Sequence, residues 1–65
     1  MEILWNEARQ EIADGATVSE LLAARGLSPD AVVVELNGEI CGANGNAHIL
    51  AAGDRLNVFR IVAGG

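Results

Sequence analysis

Sixty-five residues with one cysteine, one histidine and a net charge of −5 make a single small domain, too short for separate substrate-binding and catalytic lobes. Cys41 alone closes no internal disulfide and His48 alone completes no metal site, so packing must hold the fold. Eleven of its apolar residues are alanine and its only aromatics are Trp5 and Phe59, which leaves Leu, Ile and Val to form the core.

Four Arg against nine Asp and Glu disfavour nucleic acid as a partner. The longest uncharged run, Ile40 to Gly53, is too short and too rich in Gly and Asn to span a membrane. Met1-Glu2-Ile3 opens a strand pattern without the basic flank of an export signal, and a lone free thiol suits a reducing compartment, so a cytoplasmic location is expected.

Met1, Ile3 and Trp5 alternate with Glu2, Leu4 and Asn6, the period of a strand with one buried face. A turn at Asn6-Glu7 leads into a weaker alternation from Arg9 to Ile12, which Asp14-Gly15 ends; together these predict an N-terminal hairpin. Thr17-Val18-Ser19-Glu20 has the form of a capping box. The helix it opens carries Val18, Leu21 and Leu22 on one face and stops at Gly26, about ten residues and about 15 Å long.

Ser28-Pro29-Asp30 breaks the chain, and Val32 to Leu36 is strongly strand-like because β-branched side chains pack well on a pleated surface. Asn37-Gly38 is the preferred dipeptide of a tight hairpin turn, returning Glu39-Ile40-Cys41 as a short edge strand. Gly42 to Ala52 reads as a long connection with one helical turn at Ala47 to Leu50, and Gly53-Asp54 precedes a final strand from Arg55 to Val62. One amphipathic helix covers one sheet face most economically in an α+β roll.

If Val32, Val34, Leu36, Leu56 and Val58 face the helix, then Val33, Phe59 and Ile61 face away from it, as does Leu4 on the first strand. Single exposed apolar residues are ordinary, but these four become one patch, a candidate partner-docking surface, if the first, third and fifth strands are neighbours. Cys41 reads as a structural thiol at a strand end and His48 as a solvated loop residue. The acids form a solvated face that can steer the chain toward basic surfaces, and Arg55 and Arg60 are candidates for pairing across such an interface.

Ile3-Leu4-Trp5-Asn6, the helix start Thr17-Val18-Ser19-Glu20-Leu21-Leu22, Leu36-Asn37-Gly38-Glu39-Ile40, Gly53-Asp54-Arg55 and the terminal Ala63-Gly64-Gly65 together resemble the ThiS family. The resemblance covers the whole chain and implies a ubiquitin-like β-grasp fold over residues 1–62, with four to five strands in a mixed sheet wrapped on one main helix. Residues 63–65 would form a flexible Gly-Gly tail. The chain departs from the family at Cys41-Gly42-Ala43-Asn44-Gly45-Asn46, where members often carry a Pro-Arg pair and a Trp.

The resemblance implies a protein co-substrate rather than an enzyme, a sulfur carrier for the thiazole of thiamine. Gly65 would be adenylated by an E1-like adenylating enzyme of the ThiF type, which uses ATP, while the carrier itself binds no cofactor and no metal. A persulfide sulfur donor would convert Gly65 to a thiocarboxylate for a thiazole synthase of the ThiG type. Ala63 and Gly64 would thread the partner's active site, where the lack of a glycine side chain avoids clashes. A molybdopterin-type (MoaD-like) sulfur carrier and a non-covalent β-grasp interaction module are the alternatives. An independent enzyme is disfavoured because one Cys and one His assemble no nucleophile–base pair.

Overall fold

The computed structural model describes residues 1–42 and 47–61. Strands β1 (Glu2–Trp5) and β2 (Ala8–Glu11) form the N-terminal hairpin, helix α1 spans Val18–Ala24, and a single 3-10 turn at Pro29–Ala31 leads into β3 (Val32–Leu36). Strand β4 (Glu39–Ile40) and strand β5 (Arg55–Arg60) complete a five-stranded sheet in the order β2-β1-β5-β3-β4 among the described residues. Strand β5 lies at the centre, parallel to β1 and antiparallel to β3. The expected α+β roll is the observed architecture.

The core is the meeting of one helix face with one sheet face. Val18, Leu21 and Leu22 of α1 pack on Ile3, Val32, Val34 and Leu56. Met1, Trp5, Leu36 and Val58 lie partly buried around them, as the alternation predicted. Trp5 is also covered from outside by the Arg25 guanidinium, 4.7 Å from the ring centroid. That cation–π contact ties the end of α1 to the hairpin.

Both helix ends are satisfied by local sequence. The Thr17 hydroxyl accepts from the Glu20 amide at 3.1 Å while the Glu20 carboxylate accepts from the Thr17 amide at 3.1 Å, completing the capping box. At the other end Gly26, at φ +70°, donates to the Ala23 carbonyl and Leu27 donates to the Leu22 carbonyl, a Schellman closure that returns Leu27 to the core. These caps also shorten the helix relative to the sequence reading. Thr17 and Arg25 are capping residues outside the helical run, leaving seven residues and a length of about 10 Å.

The connection after β4 differs more. Where a helical turn through Leu50 was expected, Ile49 forms an antiparallel bridge with Thr17. The Val18 amide donates to the His48 carbonyl at 3.1 Å and the Leu50 amide to the Ala16 carbonyl at 2.8 Å. The bridge turns Leu50 inward, where it is 3% exposed and closes the core. Residues 43–46, including most of the stretch that departs from the family pattern, lie outside the described residues, as do 62–65.

Leu22 is wholly buried, and truncating such a side chain costs about 2–5 kcal/mol. In a domain of this size each kcal/mol moves the melting midpoint by about 4–8 °C. Leu22→Ala should therefore melt at least about 10 °C below wild type in a calorimetric scan, and an unchanged midpoint would place the helix face wrongly.

Candidate functional site

The sheet face opposite the helix carries the residues singled out for docking. Val33 of β3 and Phe59 of β5 are register partners, so their side chains share that outer face at a Cβ separation of about 5 Å. Ile61 is two residues further along, and its amide donates to the Ala31 carbonyl at 2.9 Å, so the pairing with β3 continues past the end of β5. Phe59 is 55% and Ile61 58% exposed.

Leu4 is on the same face but elsewhere. It is half-buried and pairs with Arg55, four residues before Phe59 and about 13 Å along the strand, with Asn57 between them. The structure thus brings Val33, Phe59 and Ile61 together and sets Leu4 apart. Arg55 opens β5 at the end far from the chain's last residues, whereas Arg60 closes it and pairs with Val32. Ala63, Gly64 and Gly65 lie outside the described residues.

Two polar devices hold β5 in place, and sequence reasoning treated both as turns. The first is built on Asn37 and Asp54. Asn37 donates its side-chain amide to Asp54 Oδ1 at 3.1 Å and accepts from the Arg55 amide at 2.9 Å, while its own backbone amide donates to the Arg55 carbonyl. Asp54 Oδ2 accepts from the Ala51 amide at 2.8 Å and lies 3.4 Å from His48 Nε2. His48, expected as an unpartnered loop residue, is therefore part of this cluster.

The second device is Asn6, whose φ of 48° turns the chain out of β1. Its backbone amide donates to the Leu56 carbonyl at 2.8 Å. Its side chain then stands in for the strand that has left. Oδ1 accepts from the Val58 amide at 2.7 Å, and Nδ2 donates to the Val58 carbonyl at 3.4 Å. An Asn after a run of alternating apolar residues was the available signal, because its amide can imitate a peptide group.

The described residues present exposed apolar side chains, Phe59 and Ile61, on the outer sheet face. No group of three His, Cys, Asp or Glu gathers at metal-ligand positions among the described residues, and Cys41 is a half-buried free thiol. No helix of the described residues is long and apolar enough to cross a membrane.

Comparison with known proteins matches this arrangement to one family. The ThiS family model matches residues 1–65, the full sequence. The chain belongs to the ThiS family. A crystal structure of the thiamine biosynthesis protein ThiS from Geobacter metallireducens is similar to it with a TM-score of 0.82 and 29% sequence identity, covering 100% of each chain. A ubiquitin-like protein from the archaeon Caldiarchaeum subterraneum is similar at TM-score 0.51 and 20% identity, covering 97% of this chain and 96% of that one, a likeness of fold. No curated protein sequence matches the chain significantly. ThiS membership supports a sulfur carrier in thiamine biosynthesis, a small carrier protein rather than an enzyme.

The Asp54 carboxyl sits below the usual carboxylate range. Burial raises it, but the Ala51 amide, the Asn37 side chain and His48, through its hydrogen bond and charge, outweigh that and favour the ionised form. A carboxyl lowered on folding adds stability that is complete above its unfolded pKa of about 3.9 and is lost as pH falls through the folded value. Asp54→Asn does not titrate, so it should melt below wild type at neutral pH and converge on it as the pH drops to about 3. Melting curves that stay equally far apart over that range would show that the Asp54 charge is not what the cluster uses.

Proposed function

We propose that this chain carries sulfur for thiazole formation in thiamine biosynthesis and that Gly65 is its reactive end. The observation that carries this reading is the family match across residues 1–65, which includes Ala63-Gly64-Gly65. In this reading an E1-like adenylating enzyme of the ThiF type binds ATP. The Gly65 carboxylate attacks the α-phosphorus, pyrophosphate leaves, and an acyl-adenylate forms. The terminal sulfur of a persulfide donor then attacks the acyl carbon and expels AMP. A thiol cleaves the resulting S–S bond, leaving a thiocarboxylate on Gly65 for a thiazole synthase of the ThiG type. ATP belongs to the enzyme; the carrier needs no cofactor of its own. A reducing cytoplasm suits both the free Cys41 and the thiol step.

The position of β5 supports this role. Four residues follow Ile61 in the sequence, and an extended chain of that length spans about 13 Å. The reacting carbonyl can therefore enter a partner while the folded body stays outside. Glycine at 64 and 65 offers no side chain to a narrow channel. Exposed Phe59 and Ile61, with half-buried Val33 beside them at the same end of β5, are the docking surface of this proposal, with Leu4 as a separate, more distant contact.

Removing Gly65 should abolish acyl-adenylate formation without moving the melting midpoint, as read by pyrophosphate release and intact mass. Continued adenylation of the shortened chain would overturn the carrier reading. Phe59→Ala should keep its midpoint within a degree or two, since surface truncations rarely exceed about 0.5 kcal/mol, yet bind the adenylating enzyme at least about tenfold more weakly. A large fall in melting temperature with unchanged binding would assign Phe59 to stability instead.

A further inference from the structure

The centre of the sheet has an open half-edge. Along β5 the backbone groups of Arg55, Asn57, Phe59 and Ile61 point toward β3, because Asn37 donates to Arg55 and Ile61 donates to Ala31 in the same antiparallel register. Those of Leu56, Val58 and Arg60 therefore point toward β1. Leu56 and Val58 are satisfied there by the backbone and side chain of Asn6. At Arg60 the series stops. The chain has turned away through Asn6 and Glu7, at φ 48° and 71°, and among the described residues neither the N–H nor the C=O of Arg60 has a backbone partner on that side.

A recess borders this gap, lined by Asn6, Glu7, Asn57, Val58 and Phe59. Phe59 gives it an apolar wall, and Glu7 is its one charged lining residue. A strand laid against Arg60 would continue the line that β1 abandons, put one side chain into this recess, and run directly beside the start of the segment carrying Gly65.

We propose that the adenylating enzyme adds an extended segment to this half-edge, pairing with the Arg60 N–H and C=O as a sixth strand inserted beyond Asn6. The proposal rests on the carrier reading above. The occupant is a segment with an apolar side chain over Phe59 and a Lys or Arg facing Glu7. Backbone pairing at Arg60 aligns the emerging chain independently of side-chain identity, while the recess supplies selectivity. By capping Val58, Asn6 ends the intramolecular ladder one residue pair before the partner's would begin.

The test uses backbone chemistry, since the recognised groups are main chain. Arg60→Pro removes the outward N–H without touching a bond to β3, and proline is tolerated where a strand's N–H faces away from the ladder. Arg60→Ala loses the same side chain and keeps the N–H. The Pro variant should bind the cognate adenylating enzyme about fivefold to tenfold more weakly than the Ala variant, the range expected for one lost hydrogen bond and its alignment, with equal melting midpoints for the two. In the unsubstituted carrier, the Arg60 amide should exchange rapidly with deuterium when free and at least about tenfold more slowly in the complex with enzyme and ATP. The Ile61 amide, already bonded to Ala31, should be protected in both.

Should Arg60→Pro fail to fold, the exchange measurement on the unsubstituted chain decides. A carrier that is adenylated normally while its Arg60 amide stays unprotected, or equal binding by the Pro and Ala variants, overturns the added strand and leaves the carrier reading intact. A carrier that forms no acyl-adenylate at all overturns both.

Discussion

Strand β5 has to pair with two neighbours running in opposite directions, and the rest of the molecule is arranged around that requirement. Antiparallel pairing with β3 involves five register positions, whereas parallel pairing with β1 involves two. The weaker side is extended by Asn6, whose side-chain amide supplies the next donor and acceptor that a longer β1 would have provided. Parallel pairing between strands from opposite ends of the chain needs a long crossover, and α1, β3, β4 and the return connection supply it. Helix and core therefore lie on one face because the crossover must pass over that face.

A domain with so few large side chains has little surplus stability, and its polar contacts are placed where packing is thin. Among the described residues eight are buried, all of them aliphatic. Beyond them, order at the start of β5 comes from Asn37 and Asp54, which bind the Asn37-Gly38 turn, the Ala51 amide and the Arg55 amide into one cluster. The Thr17–Ile49 bridge does similar work for the return connection, holding Leu50 against the core. Among the described residues no buried side-chain polar atom lacks a hydrogen-bond partner, so these clusters add order without leaving groups unsatisfied.

What was legible in the sequence follows the range of the physical signal. Capping box, Gly26 stop and Asn37-Gly38 turn are decided by neighbours within a few residues, and all three form as read. Alternation likewise assigned the buried faces of β1, β3 and β5. The ten-residue helix was too long because a capping residue and a helical residue look alike in composition. Leu50 and Ile49 were misread because their conformation depends on Ala16, Thr17 and Val18, more than thirty positions away. His48, Asn37 and Asp54 were seen as separate loop residues because side-chain contacts between turns, here across as many as 17 positions, leave no mark in local composition. Of the candidate site, the alternation that grouped Val33, Phe59 and Ile61 could not register β1 against β5, and that register is what moves Leu4 away from them.

The two faces of β5 divide the core from the proposed docking surface. Leu56 and Val58 turn toward the helix and Leu56 is 1% exposed, while Phe59 on the other face is more than half exposed. Because a strand alternates strictly, neither function can be enlarged at the other's positions: a bulkier docking surface must come from residues 57, 59 and 61, and a larger core from 56 and 58. The end of the strand escapes this limit. At Arg60 the side chain is on the side of Val32, but the groups without a backbone partner among the described residues are the peptide N–H and C=O, which lie in the plane of the sheet and belong to neither face. The proposed in-plane contact there would add recognition next to the segment that carries Gly65 without drawing on the core or on the exposed apolar patch. The proposed contact thus uses a third direction of approach, which the two faces cannot supply.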